Sequence, residues 1–285
     1  MRARERLQPM DVVLRHARAY TWVRRVCLAA SLGFVVGMPL WHLHSEPPLY
    51  GPPGAVSLFG LELVDPLATL SVLLTSGPSV TLLLAALPAL LLVAVLGRFF
   101  CGWLCPYVPL LAASNAARWW LKRLGFDLLD VRLPRRSAWV MLVAVLALGA
   151  LLGTHVWPWL YPPSVIGRAA FEGIFFGGLG AGAGLVAFAL AFDTFVSRAG
   201  FCRSLCPGGA LFGLLSVASP ITVRLNRDKC TGCTACDVVC NLGQSPMTGR
   251  IDEGCERCGK CVAACPTDAL QLAVKRPLAQ KWGRR

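Results

Sequence analysis

The sequence predicts a mostly α-helical integral membrane protein, with four transmembrane helices forming a duplicated two-helix unit and a small cysteine-rich α+β domain at the C-terminal end. Three observations predict it. First, 55% of the 285 residues are hydrophobic and only 15% are charged, with mean hydropathy +0.59, whereas a soluble domain carries about 25% charged residues. Second, the Lys and Arg behind the net charge of +13 flank long apolar runs. They therefore read as topology signals and as contacts for anionic membrane lipid, and nucleic acid is not expected as a partner. Third, eight cysteines crowd residues 230–265 in two runs of equal spacing.

Taken in order, residues 1–25 carry seven arginines and form a basic cytoplasmic N-terminus. The apolar run 26–42 is too long for a signal core and no small-residue cleavage site follows it, so it is expected to be the first span. The Pro- and Gly-rich connection 43–77 has acidic residues but no Lys or Arg, as an outer loop should. The second span, about 79–96, empties into Arg98-Phe-Phe-Cys-Gly-Trp-Leu-Cys-Pro, and the basic segment 98–137 lies inside. A third span covers about 138–157, ending at an aromatic belt of Trp157 and Trp159. A short outer connection, 158–170, leads to a fourth, glycine-rich span at about 171–196. The membrane domain thus occupies 26–215, the cysteine-rich domain 216–275 and a basic tail 276–285, with both termini inside. The two halves repeat: span, outer loop, span, then CGWLCP in one half and CRSLCP in the other.

The cysteine runs are each C-x2-C-x2-C-x3-C. Three close thiolates wrap one iron–sulfur cluster and the fourth reaches the neighbouring one. Cys230, Cys233, Cys236 and Cys265 are therefore expected to hold one [4Fe-4S] cluster, and Cys240, Cys255, Cys258 and Cys261 the other. Structural zinc would favour two separated C-x2-C pairs, and the lack of C-x-x-C-H gives no place for covalent haem c. Twelve of the thirteen cysteines sit in ligand-like spacings, which points to metal in a reducing compartment rather than to disulfides. Cys101/Cys105 and Cys202/Cys206 are each four apart, one helical turn, and each pair is followed by proline. Delivered to the same inner face, these four thiols suit either a third metal centre or two redox-active dithiol pairs.

With four spans, CGWLCP, CRSLCPGGAL, VDPLATL and the two-cluster segment, the chain resembles the NapH/MauN family of membrane ferredoxin-type proteins from about Arg24 to Leu272. The resemblance implies a quinol dehydrogenase component of the bacterial inner membrane. Such a component oxidises quinol and passes electrons to an iron–sulfur or cytochrome c partner that feeds a periplasmic reductase. One departure is Asn241 after Cys240, where the second run has Pro266; it touches turn geometry rather than a ligand. A quinol site needs a proton acceptor beside an apolar slot. The candidates are His42, Asp65 and Glu172, with His44, Glu46, Glu62 and His155 at a similar level and Asp193 inside the fourth span. Two rival roles remain in view on the same residues, a maturation factor for an oxidase or a periplasmic dehydrogenase, and a redox regulator.

Overall fold

The computed structural model describes residues 17–42, 49–50, 55–58, 61–131, 133–134, 136–178, 180–249, 251 and 254–274, and over them the protein is mostly helical. Helix α1 (Ala17–His42) contains Thr21–Trp41, the one stretch among the described residues long and apolar enough to cross a membrane as a single helix. A small antiparallel sheet follows, β1 (Leu49–Tyr50), β2 (Ala55–Leu58) and β3 (Leu61–Val64), with Ala55 opposite Val64. Then come α2 (Pro66–Ser76), α3 (Val80–Leu96), α4 (Phe99–Trp103), α5 (Tyr107–Arg123) and α6 (Arg136–Leu152). Helices α3 and α6 match the expected second and third spans in place, but each has 17 residues. That is about 25 Å of helix against a hydrocarbon core of about 30 Å.

The fourth expected span, 171–196, is not one helix. Helix α7 (Pro162–Phe176) stops at Gly177, whose φ of 65° is left-handed, and α8 (Ala181–Ala191) folds back along it before a π-helical turn, Phe192–Val196. A left-handed glycine ends a helix cheaply because it has no Cβ to clash. The return is close: a Cβ at Gly182 would stand 2.6 Å from the Ala169 amide nitrogen. The connection expected to stand outside, 158–170, is also different. It begins α7, and Tyr161 is only 2% exposed.

The halves repeat as structure. In each, a short helix with proline in its first turn starts after Asp65 or Tyr161 and turns at a glycine. A second helix then returns, a cysteine turn follows, and another helix begins: α5 in one half and α9 (Pro207–Leu215) in the other. They are interleaved rather than side by side. One core joins Leu67 of α2 to Leu142 and Val145 of α6 and Leu211 of α9. The other joins Leu28 of α1 to Leu111 of α5, Ile166 of α7 and Ala189 of α8. Outward faces are apolar as well, with Leu84, Leu91 and Val95 on α3 and Val140, Val143 and Leu151 on α6 all exposed.

The C-terminal unit is built on β4 (Ile221–Leu225) and β5 (Leu270–Val274), antiparallel with Ile221 opposite Val274. Between them lie two one-turn helices, α10 (Ala235–Val239) and α11 (Lys260–Ala263). Val223, Leu270 and Leu272 form its small core against Cys236, with Cys255, Cys261 and Cys265 packed around it.

Candidate redox centre

The two C-x3-C-P turns meet between the halves. Cys101 lies in α4, Cys202 in the π-helical turn Phe201–Leu205, and Cys105 and Cys206 each precede the proline that leads into the next helix. Cys105 and Cys206 are buried and Cys101 and Cys202 half-buried. The four feel one another electrostatically, Cys101 with Cys206, Cys105 with both, and Cys202 with Cys105 and Cys206. The Gly209 amide donates to Cys206 Sγ at 3.3 Å.

The C-terminal unit is seated directly on these turns. At Gly102, inside CGWLC, an added Cβ would stand 2.8 Å from the Glu256 carbonyl oxygen and 3.4 Å from Cys258 Cβ. At Gly97, whose φ is +71°, the Arg257 guanidinium occupies the place a side chain would take. Arg257 then donates to the Ile221 carbonyl at 2.7 Å and the Ser216 carbonyl at 3.1 Å. Arg98 Nη1 donates to the Gly254 carbonyl at 3.1 Å, and Arg24 Nε to the Gly102 carbonyl at 2.9 Å. Arg198 Nη2 reaches the Val238 and Cys240 carbonyls, both at 2.6 Å.

Cys230, Cys233, Cys236 and Cys265 line one small cavity of about 20 Å³, with Cys233 exposed. Cys240, Cys255 and Cys258 all act electrostatically on Cys261. Their surroundings differ. Burial pushes the Cys255 thiol up to about 12 and also raises Cys240, Cys258 and Cys261. Burial also opposes ionisation of Cys265, yet the Thr267 and Ala269 amides outweigh it and hold that thiol below its ordinary value. The Ala269 amide lies 3.2 Å from Cys265 Sγ, the Gln244 amide 3.3 Å from Cys240 Sγ and the Arg257 amide 3.4 Å from Cys255 Sγ.

Do these residues fit iron–sulfur clusters? Among the described residues no three His, Cys, Asp or Glu side chains converge tightly enough for a single metal ion. A cubane puts its irons at separate corners, so its thiolates need not meet at one point. All thirteen thiols are free of disulfides. Two buried guanidinium donors, Arg24 Nη2 and Arg98 Nε, find no acceptor among the described residues. A buried cation without a partner is costly, and both arginines face thiols: Arg98 faces Cys101 and Cys206, and Arg24 faces Cys258. Glu256 offsets part of their charge, and a thiolate-ligated cluster would add more negative charge beside them. The donor set fits.

The quinol-site candidates separate. Asp65 caps α2, with Oδ1 accepting from the Leu67 amide and Oδ2 from the Tyr161 hydroxyl, each at 2.7 Å. Tyr161 in turn packs its ring against Gly208, two residues past Cys206, so Asp65 is joined through Tyr161 to the second cysteine turn. Glu172 Oε2 accepts from the Gly182 amide at 2.9 Å and closes the α7–α8 turn. His155 Nδ1 pairs with Ser71 Oγ at 3.0 Å. His44 and Glu46, and the side chains of His42 and Glu62, lie outside the described residues. Sequence reasoning missed Glu256, a buried carboxyl between Arg98, Arg24 and Lys260. Burial raises its pKa and those cations only partly offset the rise. The signal was present: the second run encloses Glu-Arg between ligand cysteines where the first has Thr-Gly. Tyr107 and Tyr161 gave no comparable sign.

Comparisons with known proteins agree with this geometry. A family model described as a 4Fe-4S binding domain matches twice, over 77–124 and 179–224, so each copy covers one C-x3-C-P turn and its flanking helices. A second model of that description matches 250–271. The ferredoxin-type protein NapH of Escherichia coli strain K12 is 34% identical, covering 90% of this chain and 91% of that protein. The methylamine utilization ferredoxin-type protein MauN of Methylorubrum extorquens is 34% identical over 78% of this chain and 76% of its own length. NapH of Haemophilus influenzae is 31% identical over 78% of this chain and 79% of its own. No solved structure matches the chain.

Proposed function

The chain belongs to the NapH/MauN family of ferredoxin-type proteins, and from that premise we propose that this electron-transfer protein oxidises membrane quinol and hands the electrons to a partner redox protein serving a periplasmic reductase. One observation carries the reading. The Cys255–Cys258 turn is seated on Gly102 between Cys101 and Cys105, so the thiols form a continuous series from the buried bundle to exposed Cys233. Cys240, Cys255, Cys258 and Cys261 would hold the cluster nearer the bundle, and Cys230, Cys233, Cys236 and Cys265 the one nearer solvent. Clusters bound there supply one-electron carriers, which a two-electron donor such as quinol requires in more than one copy.

The chain's own residues prepare that route. Arg98 and Arg198 bind backbone carbonyls of the cysteine-rich unit across the junction, and Arg24 holds the Gly102 carbonyl on the bundle side. Their positive charge favours the ionised thiolate and lowers the cost of added negative charge. The exposed apolar faces of α3 and α6 suit lipid, since contiguous apolar surface of that extent is rare in water. In our reading the helices cross or enter the inner membrane together, with both termini cytoplasmic.

The test is anaerobic. Purified protein in lipid nanodiscs is mixed with reduced decyl-ubiquinol or menaquinol, and cluster reduction is followed by EPR and by visible bleaching. Reduction within seconds, blocked by a quinol analogue, is expected. Clusters that dithionite reduces and no quinol does would sink the quinol role and favour a maturation factor.

A further inference from the structure

We propose that quinol binds in the apolar cleft between α7 and α8, with its ring hydroxyl on Tyr107 and Asp193 as the proton acceptor behind it. This rests on the quinol reading above and gives that reading a site, one that is none of His42, Asp65 and Glu172.

The cleft holds about 50 Å³ of free space, and its walls include Val165, Ile166, Leu185, Val186 and Phe188. Apart from the Trp159 indole, the one polar side chain on its lining is Tyr107. An isoprenoid quinol asks for this combination: apolar walls for ring and tail, and one hydrogen-bonding group at the closed end.

Tyr107 does not stand alone. Its hydroxyl donates to Asp193 Oδ2 at 2.7 Å, while Asp193 Oδ1 accepts from the Phe201 amide at 2.8 Å. Asp193 is fully buried. Because Tyr107 already donates to Asp193, the lone pairs of its oxygen remain to accept from a quinol hydroxyl. The carboxyl is carried on the π-helical turn Phe192–Val196, a form that recurs at functional sites. That turn is pinned by Arg118 Nη1 to the Thr194 carbonyl at 3.0 Å and by Ser114 to the Thr194 hydroxyl at 2.7 Å. Such fastening holds the buried acid in place.

The cleft also touches both cysteine turns. Tyr107 follows Cys105-Pro106, and Phe201, whose ring lies 6.0 Å from that of Tyr107, precedes Cys202. The Asp65–Tyr161 pair matches this one in chemistry, but Tyr161 packs its ring on Gly208 instead of lining this cleft.

The step balances as follows. One quinol becomes one quinone and releases two electrons and two protons. The electrons would go one each to two oxidised iron–sulfur clusters, which Cys240, Cys255, Cys258 and Cys261 and Cys230, Cys233, Cys236 and Cys265 would hold. Each proton passes from a quinol hydroxyl to Tyr107 Oη as the tyrosine's own proton moves to Asp193 Oδ2, so Tyr107 ends unchanged. Asp193 releases the first proton to water before taking the second.

The experiment has a binding arm and a kinetic arm, both on the full chain in nanodiscs. An azido-quinone is photolysed on the protein and the labelled peptides are mapped by mass spectrometry. We expect label on α7 and α8, competed by decyl-ubiquinone, and lost at least 10-fold in Ala189→Phe, which fills the cleft. Asp193→Asn should keep labelling within about 3-fold, yet slow quinol-driven cluster reduction about 100-fold, the scale of one general base. Tyr107→Phe keeps the ring and removes the relay, so it should slow reduction similarly with label retained. Iron content and dithionite-reducible EPR signals confirm that each variant is folded and loaded. If quinol reduces the clusters but the label maps elsewhere and Ala189→Phe changes nothing, this site is wrong while the quinol role stands. If wild-type protein neither binds the azido-quinone nor is reduced by quinol, the role itself fails. Label on α7 and α8 that phospholipid displaces and decyl-ubiquinone does not would make the cleft an acyl-chain site and overturn the assignment.

Discussion

At the residue scale, the junction between bundle and cysteine-rich unit is set by what is missing from a side chain. Gly102 has no Cβ, and the Glu256 carbonyl uses that space. Gly102→Ala would force a 2.8 Å contact with backbone that has no room to give. Overpacking of this kind costs about 1–3 kcal/mol, and here it acts beside Cys258. Expected results are a lower unfolding temperature and loss of iron from the set containing Cys258, read by iron analysis and EPR, with the set containing Cys230 retained. Asp65→Ala tests a different bond. It removes the cap on the Leu67 amide and leaves the buried Tyr161 hydroxyl without its acceptor. The combined loss should be about 2–3 kcal/mol in thermal or denaturant unfolding.

At the scale of elements, the return from α7 to α8 depends on Gly177 and on Glu172 holding the Gly182 amide. Glu172→Ala should destabilise by about 1 kcal/mol and leave quinol-driven reduction unchanged, a split measurable by unfolding beside stopped-flow. How far such elements could be read from sequence depended on the range of the forces that made them. The crossed cysteine sets are proposed from sequence because a cluster needs ligands from two short loops at fixed spacing, and Cys265 lines the same cavity as Cys230, Cys233 and Cys236. The repeat was legible because CGWLCP and CRSLCP are local strings. The break within 171–196 was misread: the same glycines that let helices approach in lipid also stop a helix, and only the left-handed φ at Gly177 shows which. Asp65 with Tyr161, and Tyr107 with Asp193, were beyond reach, since each pair joins opposite halves of the chain.

At the scale of the whole molecule, the thiol series runs from dry to wet. Cys258 and its set lie under the bundle, while Cys233 is exposed and its cavity opens beside it. The two sets should therefore differ in access. With an iron chelator under air, iron should leave in two phases, the faster matching the EPR signal that Cys233→Ser alters. A single phase would show that the outer set is as sheltered as the inner. Interleaved cores add a second expectation, that the halves unfold together, because Leu67 of one half packs with Leu211 of the other.

The Arg257 guanidinium in the vacancy at Gly97 sets an order of manufacture. A chain is made from its N-terminus, so the slot at Gly97 is finished long before its key is translated. That key lies between Cys255 and Cys258, on a loop whose shape is set by whatever those cysteines hold. Seating it is therefore a late step of assembly, and it ties the loop between Cys255 and Cys258 to the bundle.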